Sequence, residues 1–460
     1  MFNLGKSKNK IIEKMGMAHS ALSEKRFTEA IREYDEILKL APKNLGFQVG
    51  RAIILYESGE HEAAKKALQE IILSNRKNRK AVAAIDRIEY IERQSANPEF
   101  KKLNQEMRRI LNAMWLEIDK KPLYEPSVFW SKICRFHELL LEKYGVEYCK
   151  RTVCHYYGTY FLYQWNDPQT KALIKDALAH FSFQPLWNDF VSPSDVGYHE
   201  HLYFPYYPIA DSRSSFIHKL AVGSLWEFAL RNDATGWLDR LEEKGVGNPI
   251  EIYRKGKRIS QDLARSVLER NLMMEHGGWS DSDPITVMEL GAGHGRLAEM
   301  MGRTTRCRYL IFDIPPALFV SQWYIQQMFP EEKIFTFRSF ESYESICEEL
   351  EQCRFAFFTP NQMEMLPDRS ADLCININSL MEMKNEQIKN YIHQIDRLTK
   401  KLFYSQQYFD WTNTDDNIRM TKDKFIVGEN WKVVYEGKSP FQEYFFIQVW
   451  KRNKAELSKK

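Results

Sequence analysis

The chain has 460 residues, too many for one minimal domain and enough for about three. Its 44% hydrophobic and 28% charged residues lie near the globular average, which excludes large-scale disorder. A net charge of +3 argues against a protein whose main task is to grip nucleic acid. No apolar run is long enough to span a membrane, and the opening MFNLGKSKNK lacks the apolar core of an export signal. The seven cysteines (Cys134, Cys149, Cys154, Cys307, Cys347, Cys353 and Cys374) include no CxxC pair. They read as reduced thiols, so a cytoplasmic protein is expected.

After a polar segment at 1–10, residues 11–78 hold two units offset by 34 positions. Ala18 maps to Ala52, Phe27 to His61, Ala30 to Ala64, Tyr34 to Leu68 and Ile37 to Ile71. Small residues at fixed points let paired helices approach, and larger ones fill the gap between them. This period resembles tetratricopeptide repeats. A further helix at 80–94 would cap the stack, so 11–96 is expected to be a helical repeat module. The resemblance implies a protein partner, or a second copy of the chain, docked on the repeats.

Asn97-Pro98 marks the next boundary, and 97–250 reads mainly as helices. LNQEMRRILNAMW and VFWSKICRFHELLLEKY carry apolar residues at helical spacing. Aromatic clusters follow at 155–167, 181–190 and 197–208, interrupted by Pro, Gly, Asn and Asp. They hold much of the 13% aromatic content and read either as loops lining a cavity or as an unusual aromatic core. Aromatic faces beside polar groups suit sugar rings and other flat, partly apolar ligands.

From 251 to 452 short apolar runs (ITVMEL, RYLIFDI, FAFFTP, DLCININ, KLFYSQQY) alternate with helical stretches. That alternation predicts an α/β domain with a mostly parallel sheet. WKVVYEG and FQEYFFIQVW predict an antiparallel pair at one side, before a polar tail at 453–460. KIFTFRSF (333–340) and FAFFTPNQ (355–362) compete for the place of third strand.

The strongest motif is VMELGAGHGRLAEMM at 287–301, an apolar strand opening through glycines onto a helix. The glycines permit a tight turn, and the helix start offers unpaired N–H groups. A dinucleotide fingerprint would need Gly at 296, where Arg296 stands. The order Glu289-x-Gly291-x-Gly293-x-Gly295 is instead similar to the first motif of S-adenosylmethionine-dependent methyltransferases. That likeness implies that Glu289 holds the cofactor's amino-acid end. Asp313 ends the next strand 22 residues beyond Gly291, close to the spacing of a ribose-binding carboxylate, and it also precedes a helix that it could cap. Ala292, His294 and Ile314 complete the candidate cofactor wall.

Asn361 and Gln362 are polar at a strand end, suited to an adenine edge, to an acceptor or simply to water. The fourth strand leads into Asn376, Ser379 and Glu382, at the switch point where such sheets bind ligands. Glu382 is placed near the transferred methyl, or serves as a first-turn helix acid.

Several ordered segments resemble a family of bacterial sugar O-methyltransferases. These are PSVFWSKICRFHELLLEKYGVEYCKRTV (126–153), GNPIEIYRKGKRISQDLARSVLE (247–269), MELGAGHGRLAE, FDIPPALFVSQ, PNQMEMLP and NINSLMEM. The resemblance covers about residues 100 to 450. It implies a Rossmann-like domain and methyl transfer from S-adenosyl-L-methionine to a saccharide hydroxyl, on a cell-surface glycan or a nucleotide-sugar intermediate. It carries over Glu289, Gly291, Gly293, Gly295 and Asp313 as cofactor residues, and it points to Ser260, Gln261 and Asp262 as pocket residues. We assign Gln261 and Asn376 to the cofactor, and Asp262, Asn361, Gln362 and Ser379 to the substrate.

A sugar hydroxyl must lose its proton during transfer, so a base is required. The candidates are Glu382, His199 and His201. His199-Glu200-His201 could also form a metal pair, but no third ligand stands at a telling spacing, and no metal site is assigned. Two alternatives stay open: a methyltransferase for a protein or small aromatic acceptor, and an interaction protein with an idle methyltransferase fold.

Overall fold

A computed structural model describes residues 2–23, 25–74, 79–154, 168–180, 212–440, 442 and 444–453. Its described residues divide into two compact units, the first drawn from Met1–Lys101 and Ser192–His218 and the second from Lys102–Val191 and Lys219–Lys460.

The first unit stacks α1 (Phe2–Ser23), α2 (Phe27–Leu40), α3 (Leu45–Glu57), α4 (His61–Ser74) and α5 (Arg79–Ala96). Helices α2 and α4 begin and end 34 residues apart, which is the period of the small residues. Ala18, Ala52, Ala30 and Ala64 are all buried at these equivalent points, as are Tyr34 and Leu68. Tyr34 lies against Gly50 of α3, where an added Cβ would come within 2.7 Å of its ring. The small residue is therefore what lets α2 and α3 close on each other.

Asn97 Oδ1 accepts from Glu99 N at 2.9 Å and caps α6 (Pro98–Ile118), which belongs to the second unit from Lys102 onward. Next come α7 (Val128–Tyr144), α8 (Pro168–His180), α9 (Ser212–Asn232) and α10 (Trp237–Arg240). A small hairpin, β1 (Ile252–Arg254) with β2 (Lys257–Ile259), leads into α11 (Gln261–Gly277). The main sheet then begins with β3 (Thr286–Leu290), α12 (Arg296–Thr304), β4 (Arg308–Phe312) and α13 (Pro315–Met328). It continues through β5 (Ile334–Phe335), α14 (Cys347–Gln352), β6 (Phe355–Phe358), β7 (Ala371–Ile377), α15 (Asn385–Leu398) and β8 (Thr399–Tyr408). A second hairpin, β9 (Asp410–Asn413) with β10 (Ile418–Thr421), precedes β11 (Trp431–Lys438) and β12 (Phe445–Arg452).

The eight-stranded sheet runs β11-β12-β8-β7-β3-β4-β6-β5. All neighbours from β8 to β5 are parallel, whereas β12 runs antiparallel to both β8 and β11. The expected mostly parallel sheet with a C-terminal antiparallel pair is thus present. Of the two rivals for third strand, FAFF (β6) lies beside β4, and IF (β5) is a two-residue edge. The central strands read as unbroken apolar runs because both faces are covered. Phe312 and Phe358 stack at 5.1 Å between ring centres, and Phe335 joins them at 5.5 Å. The chain leaves β3 toward β4 and later returns to β7 on β3's other side. Leu290, flanked by Phe312 and Asn376, therefore marks the switch point of the sheet.

Candidate functional site

The glycine loop occupies that switch point. Gly291, Gly293 and Gly295 have φ of 76°, 61° and 86°, all in the left-handed region that Cβ-bearing residues avoid. Gly291 has a second constraint, because a Cβ there would lie 2.3 Å from Ser379 Oγ and 2.8 Å from Ser379 Cβ. We expect Gly291→Ala to cost about 2–4 kcal/mol, the sum of a left-handed alanine and an overpacked contact. Urea unfolding checks this, with partial recovery in Gly291→Ala/Ser379→Gly. A loss below about 1 kcal/mol would show that the loop relaxes freely.

Ser379 is held there by Asn376. The Asn376 Nδ2 donates to Leu290 O at 2.8 Å and to Ser379 Oγ at 2.6 Å, and its Oδ1 accepts from Leu380 N and from Gln407 Nε2. Two of these bonds tie the end of β7 to β3 and β8, and the other two fix the turn that follows β7. The Asn376 side chain therefore sets the shape of the switch point and is fully engaged in doing so.

Asp313, directly after β4, turns toward the loop. Its Oδ2 accepts from Gly293 N and its Oδ1 from Ile314 N, both at 2.8 Å. Burial pushes its pKa up to about 7, partly offset by these backbone N–H groups. Glu289, at the end of β3, is buried and accepts from Tyr309 OH at 2.7 Å. Burial pushes it also up to about 7, against the Tyr309 hydrogen bond and the charge of Arg296.

Arg296, at the position where a dinucleotide fingerprint would have glycine, reaches back to α11. Its guanidinium donates to Glu269 at 2.5 and 3.1 Å and to Ser266 Oγ at 2.8 Å. The same helix presents Asp262, whose Oδ2 lies 3.3 Å from His294 Nε2. Burial alone would raise the Asp262 pKa, but the neighbouring His294, Lys150 and Arg296 hold it low. Gln261 is buried beside it, after Ser260 caps α11 by accepting from Leu263 N at 3.2 Å. Behind His294 the Tyr324 hydroxyl donates to Glu299 at 2.5 Å and receives Lys150 Nζ at 2.8 Å. Lys150 also pairs with Glu243 inside the protein. None of Lys150, Glu243, Glu299, Tyr324 or Glu269 was singled out from the sequence, since each is defined by partners far along the chain.

Asn361 and Gln362 both donate to partners within the protein. After β6 the Gln362 Oε1 accepts from Thr359 N at 3.0 Å, and its Nε2 donates to Arg338 O at 2.9 Å. Asn361 Nδ2 is turned to Glu117, at 3.0 Å from the carbonyl and 3.1 Å from Oε1. The Thr359-x-x-Gln362 pattern, with Pro360 at the helix start, is a signal that could have identified a cap.

Glu382 lies in a short turn, Leu380–Glu382, after β7. It is buried, and Trp130 Nε1 of α7 donates to its Oε2 at 3.1 Å. Burial pushes its pKa up to about 8, only partly countered by that indole. Half-buried aromatic rings adjoin it. Phe129 packs edge-on against Trp130 (5.7 Å) and Trp411 (6.0 Å), and Trp411 stacks on Tyr408 at 4.6 Å. Among the described residues, Trp411 Nε1 is buried without an acceptor. Phe129, Trp130, Tyr408 and Trp411 were not foreseen as a cluster. The aromatic segments that were foreseen, and with them His199 and His201, lie outside the described residues. Among the described residues no group of three His, Cys, Asp or Glu side chains is placed to hold a metal, and no helix is long and apolar enough to cross a membrane.

The strand order, with the last strand inserted antiparallel beside β8, gives the second unit the Rossmann-like methyltransferase fold. In the first unit, residues 21–88 match the tetratricopeptide repeat family. Comparison with curated protein sequences finds no match. Among solved structures the chain is similar to a Burkholderia thailandensis 1,6-didemethyltoxoflavin-N1-methyltransferase, with 12% identity over 40% of this chain and 76% of that one and a TM-score of 0.28. It is also similar to the magnesium protoporphyrin IX methyltransferase of Synechocystis PCC 6803, with 13% identity over 37% and 75% and a TM-score of 0.28. A third is an Aquifex aeolicus SAM-dependent methyltransferase, with 11% identity over 40% and 89% and a TM-score of 0.27. Overlaps this slight carry no weight for activity.

Proposed function

We propose that the second unit is an S-adenosyl-L-methionine-dependent O-methyltransferase acting on a saccharide hydroxyl. The observation that carries this reading is the glycine loop bracketed by two buried carboxyls, with Asp313 bonded to the Gly293 amide. The residues fit the cofactor. Asp313 spends its oxygens on backbone N–H groups alone, so it keeps lone pairs for a ribose diol. Glu289 supplies a second acid for the ammonium end.

The cofactor supplies a methyl group already activated on a sulfonium. Positioning then accounts for much of the rate, about 7–11 kcal/mol where two bound reactants are well aligned. Glu382 would take the proton of an acceptor hydroxyl, whose oxygen would then receive the methyl group that the bound cofactor supplies. A carboxyl with a pKa near 8 is a competent base at neutral to mildly alkaline pH. The rings of Phe129, Trp130, Tyr408 and Trp411 support a saccharide, whose apolar C–H faces pack on aromatic surfaces. The repeats would bring a protein partner or a second copy, and seven free thiols favour the cytoplasm.

Cofactor affinity should depend on pH. Burial pushes Glu289 and Asp313 both up to about 7, so going from about pH 8 to about pH 6 protonates them and removes the charged partner of the ammonium and the charged acceptor of the ribose. Calorimetry should show affinity falling on that path by about tenfold per carboxyl. A flat profile would remove both from the site. The activity itself is tested by transfer of labelled methyl to nucleotide sugars and oligosaccharides, with and without magnesium. Turnover on protein or aromatic acceptors alone would overturn the saccharide reading.

A further inference from the structure

We infer that Trp130 is a positioning residue for Glu382, held in place by the β9–β10 hairpin through Asp416. This rests on Glu382 being the base of the proposed reaction. At the hairpin turn Asp416 accepts from Val128 N at 2.9 Å and from Phe129 N at 3.1 Å, the first amides of α7. A carboxylate there satisfies donors with no partner inside the helix and complements the positive end of its dipole. Asn413 Nδ2 fixes the same carboxylate at 2.9 Å, and Lys132 bridges to Asp415 at 2.7 Å. Ser127 adds the N-cap by accepting from Trp130 N at 3.3 Å. The first turn of α7 is thereby fastened to a hairpin distant in sequence, and the Trp130 indole emerges from that turn toward Glu382.

Among the described residues that indole N–H is the one hydrogen bond to the Glu382 carboxyl. With Oε2 engaged, a proton arriving from an acceptor is directed to Oε1. Among the described residues no cation is bonded to this carboxyl. Of the titratable groups around Glu382, β8 brings Tyr408, whose own ionisation Glu382 opposes. Strand β9 brings Asp410, already paired with Arg419, and Lys384 and Glu386 follow along the chain. The wall behind is apolar, with Phe129 against both Trp130 and Trp411.

The test is a carbon-13 NMR titration of the full-length chain labelled at the glutamate side-chain carboxyl, with Glu382 assigned by its absence in Glu382→Gln. It needs neither cofactor nor acceptor, so its failure is separable from failure of the methyltransferase reading, which cofactor calorimetry decides. Trp130→Phe should raise the Glu382 midpoint by about one pH unit, because it removes a bond to the charged form. Asp416→Ala should move it the same way by less, and Phe129→Leu, which disturbs the packing but keeps the N–H, should leave it in place. In unmutated protein the Trp130 indole N–H resonance should shift through the same midpoint, and this motion should vanish in Glu382→Gln. That last measurement needs no tryptophan substitution and stands even if Trp130→Phe fails to fold. An unmoved midpoint in folded Trp130→Phe, an equal shift in Phe129→Leu, or an indole resonance blind to Glu382 would each overturn the inference.

Discussion

Glu382→Gln should lower kcat by about 10²–10⁴-fold while making the protein more stable at alkaline pH. The two effects share one cause. Burial raises the Glu382 pKa to about 8, so over the range between an ordinary carboxyl pKa and 8 the folded state holds a proton that the unfolded state has released. Stability therefore falls as pH rises through that range, and the penalty is complete above 8. Glutamine keeps the shape and still accepts from the Trp130 indole, but it never ionises. Its melting temperature should match wild type near pH 4 and exceed it near pH 9. A variant with wild-type kcat would remove Glu382 as the base. A stability difference that ignores pH would show that the carboxyl is not the buried charge its surroundings imply.

Asp313→Ala should weaken S-adenosylmethionine binding by at least about a hundredfold, since it acts twice. It removes the acceptor of Gly293 N, so the loop loses the bond that fixes it against β4. It also removes a charged acceptor for the ribose, a class of hydrogen bond contributing about 1.5–3 kcal/mol. Asp313→Asn separates the two, because an amide oxygen can still accept from Gly293 N while the charge is gone. Its affinity should fall between those of wild type and alanine. Equal loss in both variants would assign the whole effect to charge, and no loss in either would move the cofactor away from this loop.

Both effects concern residues that could be read from the sequence, and the reason is physical. Parallel strands covered on two faces appear as apolar runs, so β3, β4, β6, β7 and β8 were legible together with the residues at their ends. Glu289 and Asp313 follow directly. The repeats were legible because a helix crossing needs a small residue, and Ala18, Ala30, Ala52 and Ala64 recur at one period. What stayed hidden depends on distant partners. Trp130 and Glu382 are 252 positions apart, and no periodicity links them. The β9–β10 hairpin, DWTN with IRMT, is short, charged and partly exposed, so it has too little alternation to stand out. Asn376 read as a ligand-facing polar residue because its position is right. Only the bonds to Leu290, Ser379, Leu380 and Gln407 reveal that it is engaged in the fold.

The most direct measurement is calorimetric titration of the folded, full-length chain with S-adenosylmethionine and with S-adenosylhomocysteine. The expected result is micromolar binding of one molecule per chain for both ligands, lost in Asp313→Ala while circular dichroism stays unchanged. No binding by folded wild-type protein would contradict the cofactor site and leave the repeats as the functional part of the chain.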